Sequence, residues 1–140
     1  MHPALRITLA VVVGAVVAVG LISLIESIGH RVYPVPAGID WSNNEQVRAF
    51  VDGLPVGALL FVLAGWIVGA FVGGVVAAWI ARSRAVLAAA IVGALVLAAT
   101  VANLVIIPHP TWFAAVGIAG VALASFAAGR ILRDRATAPA

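Results

Sequence analysis

The chain has 140 residues, of which 64% are hydrophobic and 9% are charged, with a formal net charge of +3 and a mean hydropathy of +1.20. Soluble domains carry about 25% charged residues, so this composition excludes an ordinary water-soluble fold and predicts an integral membrane protein. The chain contains no cysteine, which excludes disulfides, thiolate metal sites and cysteine nucleophiles.

Four apolar runs, each of about twenty residues or more, are long enough to cross a bilayer as helices. They cover residues 5–28, 56–81, 85–107 and 112–131. Together they predict one domain over residues 1–140, an all-α antiparallel bundle of four transmembrane helices. The first run exceeds the apolar length of a signal peptide and no small-x-small cleavage site follows it, so we expect it to be retained.

The outer end of the first run carries the most concentrated polar stripe of the chain. Its members share one face of a helix, because they are spaced at i, i+3, i+4 and i+7. They are Ser23, Glu26, Ser27 and His30. In an otherwise apolar segment, such a stripe indicates a polar contact or a binding site near the membrane surface.

The connection over residues 29–55 separates the first two runs. Prolines at its start predict an extended segment. The pattern Ser42-Asn43-Asn44-Glu45 predicts a helix start, and Gly53 is well placed as its C-cap. We therefore expect a short amphipathic helix at about residues 43–52, lying on the extracytoplasmic membrane surface.

Small residues recur at four-residue spacing in the later runs. Gly65, Gly69 and Gly73 form a row that predicts close helix packing, inside the monomer or between protomers. The third run has a similar row, made of Ala90, Ala94, Ala98 and Ala102. These rows suggest that the partners of this chain include other membrane helices or a second copy of itself.

The arginines predict the orientation in the membrane, because loops on the cytoplasmic side carry an excess of basic residues. All eight basic residues are arginines. Four spans place six of them on one side, namely Arg6, Arg82, Arg84, Arg130, Arg133 and Arg135. We therefore expect a bacterial inner-membrane protein with cytoplasmic termini, whose arginines contact the lipid bilayer and no nucleic acid.

Two histidines and one carboxylate are expected to meet at the outer face. Glu26 and His30 are one helical turn apart, and His109 follows the third run on the same side. Two nitrogens and one carboxylate are typical ligands of catalytic zinc and of some iron sites. The alternative is that Glu26 forms an interfacial ion pair with His30 or Arg31, while His109 lies in a solvated turn.

Further polar residues would support this pocket. Asp40 and Asp52 in the connection are candidates for a fourth ligand or for orienting the others. Asn103 lies deeper in the third run and would form the floor, unless it makes a single interhelical hydrogen bond.

Two stretches carry a resemblance to known proteins. The first begins at Leu54-Pro55-Val56-Gly57 and continues through Gly65-Trp66 to Gly73-Gly74. The second is Ile107-Pro108-His109-Pro110-Thr111-Trp112-Phe113. There the chain resembles small bacterial inner-membrane proteins of four-helix type, which implies a fold and a location without an activity. The architecture is also similar to that of small multidrug transporters, which have a glutamate in the first of four helices. Here that residue is Glu26, near the outer end of its helix.

Three functions are compatible with these features. The first is a pocket that binds a divalent metal or a small polar ligand, and a metal-activated water would be its means of catalysis. The second is a non-catalytic assembly subunit that packs through its glycine row. The third is a small proton-coupled transporter that uses Glu26 as its protonatable group.

Overall fold

The computed structural model describes residues 2–136, with side chains described for residues 2–131. This part of the chain is helical and contains no strand, which confirms the all-α class. Its elements are α1 (Pro3–Val32), α2 (Asn44–Asp52), α3 (Val56–Ala81), a short 3-10 helix (Arg82–Arg84), α4 (Ala85–Ile106) and α5 (Thr111–Ala136).

Three helical stretches are long and apolar enough to cross a membrane, namely Pro3–Val32, Val56–Ile106 and Thr111–Ile131. The second stretch has 51 residues and would extend about 76 Å if straight. It is folded back instead, because Arg82 has a φ of 54° and α3 and α4 contact each other. The halves of about 39 Å and 33 Å each match a hydrocarbon core of about 30 Å.

The first helix covers the predicted apolar run of residues 5–28 and continues to Val32, so it carries the whole polar stripe from Ser23 to His30. Nothing in the residues after Ile28 interrupts the helix until Pro34, which disfavours the helical conformation of Tyr33. Tyr33 accordingly has extended angles, with φ of −125° and ψ of 81°. The helices α3 and α4 begin and end within one residue of the predicted runs, whereas α5 continues beyond its predicted run to Ala136.

The most extensive helix contact joins α1 to α3 in antiparallel orientation. At one end the Arg6 Nε donates a hydrogen bond to the Ile80 carbonyl at 2.8 Å. At the other end the Tyr33 hydroxyl lies against Gly57. These two contacts place the start of α1 beside the end of α3, as the antiparallel bundle requires.

The glycine row of α3 lies against α1 within the monomer. A Cβ atom built on Gly73 would lie 2.6 Å from the Gly14 carbonyl oxygen, and one built on Gly69 would lie 2.9 Å from the Ala18 carbonyl oxygen. Gly65 faces Ile22 at ordinary contact distance. Backbone therefore packs on backbone at Gly69 and Gly73, which the missing Cβ atoms of the two glycines permit.

The other long helices complete the core, since α3 also contacts α4 and α5, and α4 packs on α5. The largest fully buried side chains are Phe113, Val92 and Val121. The alanine row of α4 does not take part in this core: Ala90, Ala94, Ala98 and Ala102 are all exposed. The buried face of α4 instead includes Val92, Val96 and Thr100, because these larger side chains fill the space toward the neighbouring helices.

The short helix α2 forms where the capping pattern predicts it. The Asn43 side chain accepts hydrogen bonds from the backbone N–H groups of Glu45 and Gln46, at 3.0 and 3.2 Å. Gly53 ends the helix. Val47 and Val51 are buried, so α2 covers the end of the bundle with its apolar face.

Candidate functional site

A cavity of about 290 Å³ lies beneath α2, at the end of the bundle opposite Arg6 and Arg82. Its polar lining comes from α1, α4 and the turn before α5. These residues are Glu26, His30, Asn103 and His109. Its aromatic lining consists of Tyr33, Trp41, Phe50 and Phe61. The structure thus gathers four predicted polar residues around one space, although they are up to 83 positions apart in the sequence.

Local packing holds the aromatic walls of this cavity in place. Tyr33 meets Phe61 edge to face with ring centroids 6.2 Å apart, while its hydroxyl lies against Gly57. Trp41 meets Phe50 in the same manner, at 5.9 Å and an interplanar angle of 82°. These contacts fix one wall to α3 and tie the turn at Trp41 to α2.

Glu26 lies half-buried on the wall formed by α1. Its carboxylate faces the Trp66 indole N–H and lies within electrostatic reach of His30. Trp66 is 5% exposed and packs on Phe113 with ring centroids 5.4 Å apart, so it is part of the core. The sequence predicted only the core role of Trp66, because nothing in its spacing places the indole nitrogen near Glu26.

His109 is held in the turn between α4 and α5. Its Nδ1 lies 2.7 Å from the Ile107 carbonyl oxygen, and its ring stacks on Phe113 at 4.5 Å and 7°. Burial lowers the pKa of His109, and the hydrogen bond to the Ile107 carbonyl opposes that shift only in part. We therefore assign the proton of a neutral ring to Nδ1, which leaves Nε2 as a hydrogen-bond acceptor.

Asn103 lines the cavity from α4. Its Oδ1 is buried and has no hydrogen-bond partner among the described residues. One turn earlier, the buried Thr100 Oγ1 is equally unpaired within the described part of the chain. Thr100 was not predicted from the sequence, because a single threonine in an apolar helix commonly bonds to its own backbone.

Four of the predicted supporting residues lie outside the cavity lining. Ser23 and Ser27 are exposed, and the Ser27 hydroxyl donates to the Ser23 carbonyl at 2.6 Å. Asp40 and Asp52 are also exposed. Asp40 accepts hydrogen bonds from the Ser42 hydroxyl and N–H, which lower the pKa of its carboxyl. Asp40 therefore stabilises its own turn and does not serve the pocket.

The predicted three-ligand metal site is not formed. Among the residues that the structure describes, no group of three histidine, aspartate or glutamate side chains is close enough together to hold a metal ion. Glu26 and His30 line the cavity from α1 and His109 lines it from the turn before α5, and the three do not form a group that could hold a metal ion. The helical spacing brought Glu26 and His30 to one face, but it could not fix the distance to a residue in another turn.

Comparisons with known proteins add no further information about the site. No protein-family model, curated protein or solved structure matches this chain. The chemistry of the cavity is therefore interpreted from its own geometry.

Proposed function

We propose that this chain is a multi-pass membrane protein that binds a small, hydrogen-bond-donating ligand in the cavity beneath α2. One observation carries the proposal: Glu26, Asn103 and His109, from three separate parts of the fold, line the same cavity of about 290 Å³. Ligand sites are typically concave and mostly apolar, with a few convergent polar groups. This cavity has that composition.

The polar groups of the cavity favour a ligand that donates hydrogen bonds. Glu26 carries a carboxylate, the buried Asn103 Oδ1 has no partner among the described residues, and the neutral His109 ring accepts at Nε2. Buried acceptors are stabilised when a ligand supplies the missing donors. The aromatic walls also favour a positive charge. A small ammonium or guanidinium compound combines both properties, and a cavity of about 290 Å³ has room for it.

The competing functions receive less support. A divalent metal would need three converging ligands, and the described residues do not provide them. An assembly subunit would need a free glycine row, whereas Gly69 and Gly73 already pack against α1. A proton-coupled transporter would use Glu26 of the same cavity, so it differs from our proposal only in moving its ligand across the membrane. Release of a proton on binding, followed by uptake into vesicles, would extend our proposal to transport.

We further propose that the protein lies in the bacterial inner membrane with cytoplasmic termini. Three helical stretches long and apolar enough to span a bilayer support the membrane placement. The arginines at the Arg82–Arg84 turn and near both termini support the orientation. The cavity would then open on the extracytoplasmic side, with α2 on the membrane surface.

Cysteine labelling tests this orientation cleanly, because the natural chain has no cysteine. In bacterial cells, we expect Ala37→Cys in the connection to react with a membrane-impermeant maleimide. Ser83→Cys in the arginine turn should react only after the cells are permeabilised. Both positions are exposed, so burial does not explain a difference. The opposite pattern would reverse the orientation, and labelling of both positions in intact cells would contradict the membrane placement.

Ligand binding is tested with small probes on the detergent-purified protein. We expect ethylammonium and methylguanidinium to raise the thermal unfolding midpoint, and propan-1-ol and propionate to have no such effect. Glu26→Gln should weaken ammonium binding about tenfold or more, because a hydrogen bond to a charged group is lost. Glu45→Gln is the matched control, since Glu45 is an exposed glutamate on α2.

Two outcomes would contradict this proposal. Equal binding of ethylammonium by the wild type and by Glu26→Gln would show that the Glu26 carboxylate does not contact the ligand. Stabilisation by zinc chloride that disappears in both His30→Ala and His109→Ala would show a metal site in place of an organic cation site.

A further inference from the structure

A second concave surface runs between α4 and α5. It is a groove of about 410 Å³ on the outside of the bundle, lined by Val86, Ala90, Ala94, Leu97, Phe126 and Arg130 among others. The groove exists because α4 presents alanines there, and because Gly93 lets Ser125 approach closely. We call it the α4–α5 groove.

The interior of the α4–α5 groove is apolar. Its one hydroxyl, that of Ser125, already donates to the Val121 carbonyl at 2.7 Å, so it needs no partner from a ligand. Among the side chains that the structure describes, Arg130 is the single charged residue of the lining. Its guanidinium lies over the Phe126 ring, 4.7 Å from the centroid, at the end of the groove nearest the start of α4.

The length of the groove matches one leaflet of a bilayer. From Val86 to Leu97 the axis of α4 rises about 16 Å. The hydrocarbon core of a bilayer is about 30 Å thick, so the groove extends from the membrane surface to about the midplane. A linear hydrocarbon chain anchored at the surface beside Arg130 would occupy this space.

The arginines near the α4–α5 groove favour a ligand with an anionic headgroup. Arginine presents several N–H donors in a planar arrangement that fits a phosphate. The sequence places Arg82, Arg84 and Arg130 at this end of the long helices, and Asp134 is the one acidic residue near them in the sequence. A net positive surface of this kind attracts anionic lipids.

From these observations we infer that the α4–α5 groove binds one anionic phospholipid of the leaflet on the arginine side. One acyl chain lies along Ala90 and Ala94, and the phosphate contacts Arg130. The inference rests on the membrane placement proposed above and is independent of the ligand of the cavity. A partner helix would also fit a row of alanines, but it would leave the Arg130 guanidinium at the mouth of the groove without an anion.

Native mass spectrometry of the full chain in detergent tests the inference. The probes are dioleoyl phosphatidylglycerol and dioleoyl phosphatidylcholine, added separately. We expect one phosphatidylglycerol to bind about fivefold more tightly than phosphatidylcholine, which is the gain that one arginine near a membrane surface provides. Ala94→Trp fills the groove and should abolish this binding, and Arg130→Gln should remove the preference between the two lipids.

Matched variants separate the groove from general lipid contact. Ala102→Trp lies in the same exposed alanine row outside the groove lining, and Arg48→Gln removes an exposed arginine of α2, at the opposite end of the bundle. Both should retain the preference for phosphatidylglycerol. Equal binding of the two lipids by the wild type, or unchanged binding by Ala94→Trp, would overturn the inference. A dimer that Ala94→Trp converts to a monomer would identify a second copy of the chain as the occupant.

Vesicle flotation distinguishes failure of the α4–α5 groove proposal from failure of the membrane placement. If the wild type does not float with phosphatidylcholine vesicles, the membrane placement itself is wrong. If it floats but shows no preference for phosphatidylglycerol in native mass spectrometry, only the α4–α5 groove proposal fails.

Discussion

Gly73→Ala should lower the free energy of unfolding by about 1–3 kcal/mol, because one added methyl group overpacks a close interface. The new Cβ would lie 2.6 Å from the Gly14 carbonyl oxygen and 2.7 Å from the Ala18 Cβ. Backbone atoms cannot move aside as a flexible side chain can, so α1 and α3 must separate. The change is measured by circular dichroism during thermal or denaturant unfolding in detergent.

Gly20→Ala provides the matched control. Gly20 lies on α1, the helix against which Gly73 packs. A Cβ atom built on Gly20 meets no atom within 4 Å. We expect no loss of stability there, because alanine is a better helix former than glycine. Equal losses from Gly73→Ala and Gly20→Ala would show that backbone packing between α1 and α3 is not what stabilises the bundle.

Asn103→Leu should raise the free energy of unfolding by about 1–3 kcal/mol, because it removes a buried acceptor that lacks a hydrogen-bond partner in the described residues. The same change should abolish binding of ethylammonium in the cavity, since Asn103 forms part of its lining. Stability and binding would therefore move in opposite directions, as they do when a site is kept polar for function. Thermal unfolding with and without the probe measures both.

Thr100→Val separates the two effects. Like Asn103, Thr100 lies on α4 and has a buried side-chain oxygen without a hydrogen-bond partner among the described residues. Unlike Asn103, Thr100 does not line the cavity. We expect Thr100→Val to stabilise the protein and to leave binding unchanged. If Asn103→Leu instead destabilises the protein, the Asn103 side chain has a structural hydrogen-bond partner, such as an ordered water.

Much of the fold could be predicted because its signals are local. Runs of apolar residues define the long helices, and the capping pattern before Glu45 defines α2. The apolar run that predicts the first span ends at Ile28, whereas α1 continues one more turn to Val32, because Pro34 and not the polar residues interrupts the helix. The exposed alanine row shows a second limit: spacing alone reveals a flat helix face but not whether another helix covers it.

The candidate site was less predictable because it depends on distances between elements. Glu26 and His30 share a face by helical geometry, and His109 and Asn103 line the same cavity. Whether three side chains converge on one point is decided by the packing of α1 on α3 and by the turn that holds His109. Those features follow from tertiary contacts such as the stacking of His109 on Phe113, which leave no trace in residue spacing.

The pairing of α1 with α3 also has a consequence for biosynthesis. Every residue of this most extensive contact is synthesised by the time Ala81 has been added. Chains generally fold from the N-terminus during synthesis, so this hairpin can dock before α4 and α5 exist. Translation then adds Asn103 and His109 to a wall that already carries Glu26, so substitutions in the glycine row would weaken the hairpin before these two residues arrive.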